Sequence, residues 1–241
     1  MTDLNQMFPL NGDEAALIEQ AGAIYRCPKD ADGKRLGPIA GLSSTHPWDT
    51  DGEMSYVSDL YINTGMLDRW PHLIDSFAKR LSAKIAEAGL RWEIRGGYFV
   101  AAPMGGIQLN AFLARQMEAQ VAYTEKAGKR FQFRRCLPPE ESAKVIICED
   151  VITSAQTVGQ VIQEVEKSGA EVLAICTIVN RSVLYKFSNV PIISLVDLLG
   201  DVYSQDDPYV KDDVDGGNVV WAPKEVWQDM LSVMEAHGGR S

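Results

Sequence analysis

Val145-Ile-Ile-Cys-Glu-Asp-Val-Ile-Thr-Ser-Ala-Gln-Thr-Val158 is the stretch that decides the fold. Lys144-Val-Ile-Ile-Cys148 is an unbroken apolar run, the pattern of a strand buried on both faces of a parallel sheet. It carries two adjacent carboxylates, Glu149 and Asp150, to its carboxyl end. A short loop rich in hydroxyls (Thr153, Ser154, Thr157) then enters a helix over residues 156–167, closed by Gly169. The first turn of a helix has unpaired N–H groups and the positive end of its dipole, so this turn can hold an anion. Carboxylates one step upstream can accept hydrogen bonds from sugar hydroxyls and stabilise positive charge on a ring. The arrangement describes a sugar-phosphate pocket. By itself it fits equally a polar strand end followed by a Thr or Ser N-cap.

Outward from this core, strand and helix alternate. Toward the C-terminus, residues 172–179 and 190–196 read as buried strands and 224–236 as a terminal helix. Toward the N-terminus, 119–124 is a short strand, and 130–134 pairs as a ribbon around a mobile loop. Residues 97–102 form a strand, followed by a Pro-Met-Gly-Gly turn and a helix over 107–117. Trp70, Leu73, Ile74, Phe77, Leu81 and Ile85 repeat with helical spacing over 69–87, ended by Gly89. Residues 54–63 alternate as one strand, 27–53 have no clear period and predict loops or an elaborated hairpin, and 12–23 a short helix. The alternation predicts an α/β fold with a mostly parallel central sheet flanked by helices. Ligands of such sheets sit at the carboxyl ends of strands. We read one domain over 1–241, with residues 1–65 and part of the C-terminus forming a small hood.

Composition narrows the function. The 241 residues carry a formal charge of −10, which argues against a nucleic-acid partner, because phosphate backbones are bound through Lys and Arg. A small phosphorylated ligand needs only backbone N–H groups and a few local cations. No apolar run reaches membrane-spanning length, and the first residues lack a signal-peptide pattern, so a cytoplasmic protein with no membrane partner is expected. Cys27, Cys136, Cys148 and Cys176 are scattered, and His46, His72 and His237 form no ligand motif. Neither a disulfide framework nor a zinc site is expected.

The 145–158 run resembles the PRPP-binding signature of the type I phosphoribosyltransferases, in which two acidic residues precede a Thr/Gly-rich loop. Tyr98-Phe-Val-Ala-Ala-Pro-Met-Gly-Gly-Ile107 resembles that family's pyrophosphate loop. Tyr123-Thr-Glu-Lys-Ala-Gly-Lys-Arg-Phe-Gln-Phe-Arg-Arg135 resembles the catalytic loop of its bacterial orotate enzymes; taken alone, its cations fit a solvated charge run. Val179-Asn-Arg-Ser182 falls where the orotate enzymes place an arginine that pairs with the orotate carboxylate, although a surface arginine fits the same residues. Asp59-Leu-Tyr-Ile-Asn63 resembles the hood strand that covers the base, and Tyr61 and Ile62 fit a plain core as well. The likeness runs from about Tyr56 to Leu198.

The resemblance implies Mg²⁺-dependent transfer of ribose 5-phosphate from PRPP to a nitrogenous base. Orotate is the base it points to, giving orotidine 5'-phosphate and pyrophosphate. A phosphoribosyltransferase for a purine, uracil or nicotinate-like base, or a non-catalytic PRPP- or nucleotide-sensing regulator, are the alternatives. In the implied site Glu149, Asp150 and Lys126 are catalytic, and Thr153, Ser154, Ala155, Gln156 and Thr157 cradle the 5-phosphate. Met104, Gly105, Gly106, Lys129, Arg130 and Arg134 hold pyrophosphate, and Arg181, Tyr61 and Ile62 hold the base. Mg²⁺ is held mainly by PRPP and water, with Asp150 a possible ligand. The family's catalytic loop reaches a neighbouring subunit, which implies a homodimer. The chain departs from the pattern at Thr64, where a lysine is usual, at Asn180, where an aspartate is usual, and at Ala155 and Gln156, where glycine stands. Alanine in a helical or extended conformation still presents its N–H; a loop that required positive φ would bind the phosphate weakly.

Overall fold

The computed structural model describes residues 10, 12–42, 56–128 and 130–238. In chain order its elements are α1 (Glu14–Gln20), β1 (Ile24–Arg26), β2 (Ile39–Leu42), β3 (Tyr56–Ser58), β4 (Leu60–Ile62), α2 (Pro71–Glu87), α3 (Arg91–Ile94), β5 (Tyr98–Ala101), α4 (Gly106–Met117), β6 (Gln120–Tyr123), β7 (Glu125–Ala127), β8 (Arg130–Gln132), β9 (Lys144–Ile152), α5 (Gln156–Glu166), β10 (Glu171–Asn180), β11 (Lys186–Phe187), β12 (Val190–Asp197), α6 (Lys211–Asp215), β13 (Val219–Val220) and α7 (Trp227–Ala236). They form two compact units, Met1–Leu17 with Leu67–Leu199, and Ile18–Met66 with Gly200–Ser241.

The larger unit is built on a six-stranded sheet in the order β11-β12-β10-β9-β5-β6. All pairings are parallel except β11 on β12. Val145, Ile146, Ile147 and Cys148 are completely buried, as their unbroken apolar run requires. Alternation along β9 sends Val145 and Ile147 to the face covered by Val158, Val161, Ile162 and Val165 of α5. The other face is covered by α4, which packs on β5 and β9 and against α2. The buried stripe of α2 is Leu73, Ile74, Phe77, Ala78, Leu81 and Ile85, with Pro71 at its first turn, where a missing N–H does no harm.

The smaller unit pairs β2 antiparallel with β3 and parallel with β13, and separately pairs β1 with β4 as an antiparallel ribbon. Its core gathers Tyr25, Ile39, Val57, Val210 and, from α7, Trp227, Met230 and Met234.

The structure departs from the sequence reading in places. The single strand expected over 54–63 is two strands, β3 and β4, that part at Asp59 and pair in different sheets; residues 54 and 55 lie outside the described set. The Ser58 hydroxyl sits at this break: it accepts the Leu60 N–H at 3.1 Å and donates to the Asp201 carbonyl at 2.7 Å. Within 27–53 the chain forms a small turn bridged at Lys29 and Arg35 and then the buried strand β2; residues 43–53 lie outside the described set. The apolar run of β9 predicts a strand that stops at Cys148, and the strand instead runs on through both carboxylates. The short elements α3, β11, α6 and β13 carry too few residues to show a period.

Candidate active site

Strand order places the site. From β5 the chain moves through α4 to β6 on one side, whereas from β9 it moves through α5 to β10 on the other. Connections that diverge in this way leave a crevice outside the carboxyl ends of the two central strands. Residues 102–106 and 150–157 lie at those ends.

The acidic pair is held by its own strand and by β10. Glu149 is 7% exposed and lies in register with Thr177. The Thr177 hydroxyl lies 3.0 Å from the Asp150 carbonyl oxygen. The Asp150 carboxylate accepts the Val151 N–H at 2.9 Å, and the Asp150 N–H reaches Glu149 Oε1 at 3.2 Å. Beneath the pair, the Cys148 and Cys176 sulfurs stand 3.2 Å apart on adjacent strands. Burial, then the neighbouring Cys176 and Glu149, push the Cys148 thiol well above its ordinary range, so it stays protonated and unreactive.

The glycine turn touches this pair directly. A Cβ on Gly105 would fall 1.9 Å from Asp150 Oδ2, and one on Gly106 would fall 2.5 Å from the Cys148 carbonyl oxygen. Gly105 has an ordinary helical φ of −61°, so close approach, not backbone freedom, demands glycine here. The Ala102 N–H donates to the Cys148 carbonyl at 2.9 Å, which fastens the end of β5 to β9. Met104, in the same turn, is 83% exposed.

Residues 153–155 bend into α5. Ala155 stands at its N-cap with φ +56°, and no side chain caps the helix. The sequence left the sign of φ open at this alanine, and it is the left-handed region that glycine favours. Ala155 is only 4% exposed, its methyl packed in the core cluster with Val158 and Ile152. Ser154 is buried as well, while Thr153, Gln156 and Thr157 are half-buried.

Arg181 closes the same end of the sheet. Its N–H donates to the Ile152 carbonyl at 2.8 Å, one residue before the Thr153 turn. The side chain is buried, with 6% of the residue exposed, which removes the reading of a surface arginine. Asn180 shapes the turn that follows: its Oδ1 accepts from the Ser182 N–H at 3.0 Å and hydroxyl at 2.7 Å, and its Nδ2 donates to the Leu184 carbonyl at 3.1 Å.

The fold thus gathers Gly105, Gly106, Glu149, Asp150, Ala155 and Arg181 at one end of the sheet. The basic segment is a hairpin, β7 on β8. Arg130 and Phe131 of β8 face Gln160, Gln163 and Glu164 of α5, and Lys167 just past its end, around a cavity of about 380 Å³, which none of residues 153–157 lines. Lys126 and Arg134 are exposed on or beside this hairpin, and Lys129 lies outside the described residues. Tyr61 and Ile62 belong to the smaller unit, where Ile62 is buried and the Tyr61 ring lies 5.9 Å from that of Trp227. The support given by Thr177 and the Asp150 contact of Gly105 were not read from sequence; a threonine amid an apolar strand is the one signal that pointed to the first.

A sequence profile described as "Phosphoribosyl transferase domain" matches residues 63–209, well over half of the chain. The chain belongs to the phosphoribosyltransferase family. Among its relatives is an orotate phosphoribosyltransferase of Helicobacter pylori (strain Shi470), 26% identical over 162 residues, which span 61% of this chain and 78% of that protein. Another, from a Nitratiruptor species, is 32% identical over 124 residues, 51% of this chain and 59% of that protein. The fold resembles that of orotate phosphoribosyltransferase from Aeropyrum pernix, with a TM-score of 0.52 at 19% identity over 77% of this chain and 94% of that one. Leishmania donovani UMP synthase matches 94% of this chain and 41% of its own, with a TM-score of 0.52 at 14% identity. The chain is therefore a type I phosphoribosyltransferase in fold, a pentosyltransferase by family.

The donors of this phosphoribosyltransferase suit a magnesium ion shared with a substrate. Asp150 offers hard carboxylate oxygens, and among the described residues no three His, Cys, Asp or Glu side chains cluster to enclose a metal. An ion that dehydrates reluctantly needs few protein ligands when phosphate oxygens supply the rest. No described helix is long and apolar enough to cross a membrane.

Proposed function

We propose that this phosphoribosyltransferase transfers ribose 5-phosphate from PRPP to orotate, with release of pyrophosphate. The observation that carries this reading is the convergence of two carboxylates, a close-packed glycine turn, an uncapped helix N-terminus and a buried arginine at one sheet end. The helix end and the turn at 153–157 would receive the 5-phosphate through backbone N–H groups, more weakly than a glycine loop because Ala155 stands at positive φ. Glu149 and Asp150 would accept hydrogen bonds from the ribose 2- and 3-hydroxyls. As the bond from C1 to pyrophosphate lengthens, the ring gains oxocarbenium character, and the same carboxylates stabilise the positive charge.

Met104, Gly105 and Gly106 would border the pyrophosphate. Lys126, with Lys129, Arg130 and Arg134, would close over it and neutralise it as it leaves, which asks the β7–β8 hairpin to move from its seat on α5. Bound Mg²⁺, held by PRPP oxygens, waters and Asp150, would supply charge neutralisation to the leaving group. Arg181 would pair with the base carboxylate through its planar fork. The neighbouring subunit is expected to share the hairpin, so the working form is a homodimer in the cytoplasm.

The test is PRPP-dependent release of pyrophosphate with orotate, uracil, adenine, hypoxanthine and nicotinate offered in turn. Turnover with orotate alone is expected. Turnover with another base alone contradicts the orotate reading, and silence with every base alongside PRPP binding makes the protein a sensor. Asp150→Asn is expected to cut turnover roughly tenfold or more while the fold stays intact, the scale of losing a positioned electrostatic partner. An unchanged rate removes the carboxylate from the mechanism.

A further inference from the structure

The basic hairpin does not close flush on the helix beneath it. The inner face of α5 is apolar, with Val158, Val161, Ile162 and Val165 buried in the core. Gln160, Gln163, Glu164 and, at the helix end, Lys167 recur at i, i+3, i+4 and i+7, a polar stripe beside that face. Such a stripe is ordinarily left to solvent. Here β8 lies over it, and Arg130 and Phe131 complete the lining of the cavity of about 380 Å³. Protein interiors leave few gaps larger than a water molecule, whose share of the liquid is about 30 Å³. The hairpin therefore roofs a cleft; it does not seal a core.

Each lining group sets a condition on what enters. Gln160 Oε1 is buried and accepts no hydrogen bond among the described residues. A buried acceptor without a donor is costly, so this amide gains by turning toward a ligand that brings an N–H. Gln163, one turn further on, adds a second amide with a donor and an acceptor. Phe131 packs against the core cluster but is only half-buried, which leaves part of its ring to the cavity. A flat conjugated ring stacks on such a face. Lys167 Nζ is paired with Glu164 Oε2, so Arg130 leaves the lining with one net positive charge. A guanidinium suits a phosphate, which it grips through two N–H groups. A planar base with N–H groups, joined to a phosphate, meets all of these conditions. The volume is at the low end for small-molecule sites and suits one such molecule.

We propose that the cleft between β8 and α5 is a second ligand site, for a nucleoside monophosphate, whose occupation restrains the hairpin. The restraint rests on the reading above that the hairpin leaves α5 to close over pyrophosphate; the site itself does not. A ligand that touches β8 and α5 together binds the seated hairpin and not the released one, so it shifts the hairpin toward its seat. By reciprocity, PRPP weakens the nucleotide here. The product of the proposed transfer is itself a nucleoside monophosphate, so the site gives that class of molecule a hold on the rate apart from the anion turn.

The test uses uridine 5'-monophosphate as probe and the full-length wild type, Gln160→Leu and Gln163→Leu. Equilibrium dialysis without PRPP counts nucleotides bound per chain, and steady-state pyrophosphate release gives the inhibition constant. The wild type is expected to bind one nucleotide more than Gln160→Leu, because the catalytic end takes the other in both. Gln160→Leu is expected to raise the inhibition constant roughly tenfold, the scale of one lost hydrogen bond, with kcat and PRPP KM within about twofold. Gln163 is exposed, so Gln163→Leu folds even where Gln160→Leu does not, and a rise of about threefold is expected there. Equal binding by the wild type and the folded variants overturns the site. Inorganic phosphate that inhibits as well as the nucleotide, and loses as much in the variants, overturns the nucleotide class. An extra nucleotide bound with no change in turnover overturns the restraint. Wild-type silence with every base overturns the functional reading and the restraint with it, whereas the difference of one bound nucleotide still upholds the site.

Discussion

Ala155 shows how far a single residue can be read. Its small side chain and its place before a helix were legible, but its φ of +56° was not, because nothing in a linear sequence states the angle at which a turn closes. A left-handed alanine costs on the order of 1–2 kcal/mol. Its buried methyl contributes about 0.8 kcal/mol in the other direction, and glycine adds unfolded-state entropy of up to about 1 kcal/mol. Ala155→Gly is therefore expected to change stability by no more than about 1 kcal/mol in denaturant unfolding, despite deleting a core methyl; a loss above about 2 kcal/mol would show that the loop carries no strain. Gly105 teaches the opposite case. Its glycine was legible, but the reason was not: the sequence suggested room for an anion, and the structure shows contact with Asp150. A methyl there must turn the carboxylate away from the Val151 N–H. Gly105→Ala is expected to fold normally and lose about 10²-fold in kcat. Wild-type kcat in that variant would mean that the Asp150 rotamer is irrelevant to turnover.

At the scale of elements, long apolar runs were readable and short ones were not. The core strands β9, β10 and β12 and the helices α2, α4 and α5 lie where the apolar pattern places them, within a few residues at their ends. The overshoot of β9 through Glu149 and Asp150 has a physical cause: parallel pairing with β10 continues to Ile152 opposite Asn180, and backbone bonds outweigh side-chain polarity. The break at Asp59 escaped the pattern because Tyr56–Ile62 alternates well enough for one strand, whereas the groups that split it come from residues 29, 35 and 201. That break carries a pH dependence. Burial alone would raise the Asp59 carboxyl, but Arg35 and Lys29 overcome it and hold the group below the ordinary aspartate range. A carboxyl depressed in the folded state contributes stability above its unfolded pKa, about 3.9, and loses it as pH falls through the folded value. Urea titrations at stepped pH should show wild type losing more stability below about pH 4 than Asp59→Asn, with the two curves parallel at neutral pH. Curves that stay parallel throughout would mean that the ion cluster contributes nothing to stability.

For the whole molecule, fold class and family were within reach of the sequence, since one strand-acid-loop-helix run specifies both a buried parallel strand and its chemistry. The division into two units was less legible: the smaller one is assembled from both ends of the chain, and its sheets rest on strands of two to four residues. Its charge network joins side chains up to 180 residues apart, a relation that no local pattern carries. The net charge of −10 is compatible with a phosphorylated substrate only because binding is assigned to backbone N–H groups and a few cations, not to a basic surface. That assignment is the centre of the account, and a crystal structure with a non-hydrolysable PRPP analogue and Mg²⁺ tests it most directly. The 5-phosphate is expected within hydrogen-bond distance of the N–H groups of 153–157, with the ribose hydroxyls on Glu149 and Asp150. A phosphate bound elsewhere, with those N–H groups still turned to protein partners, would contradict it.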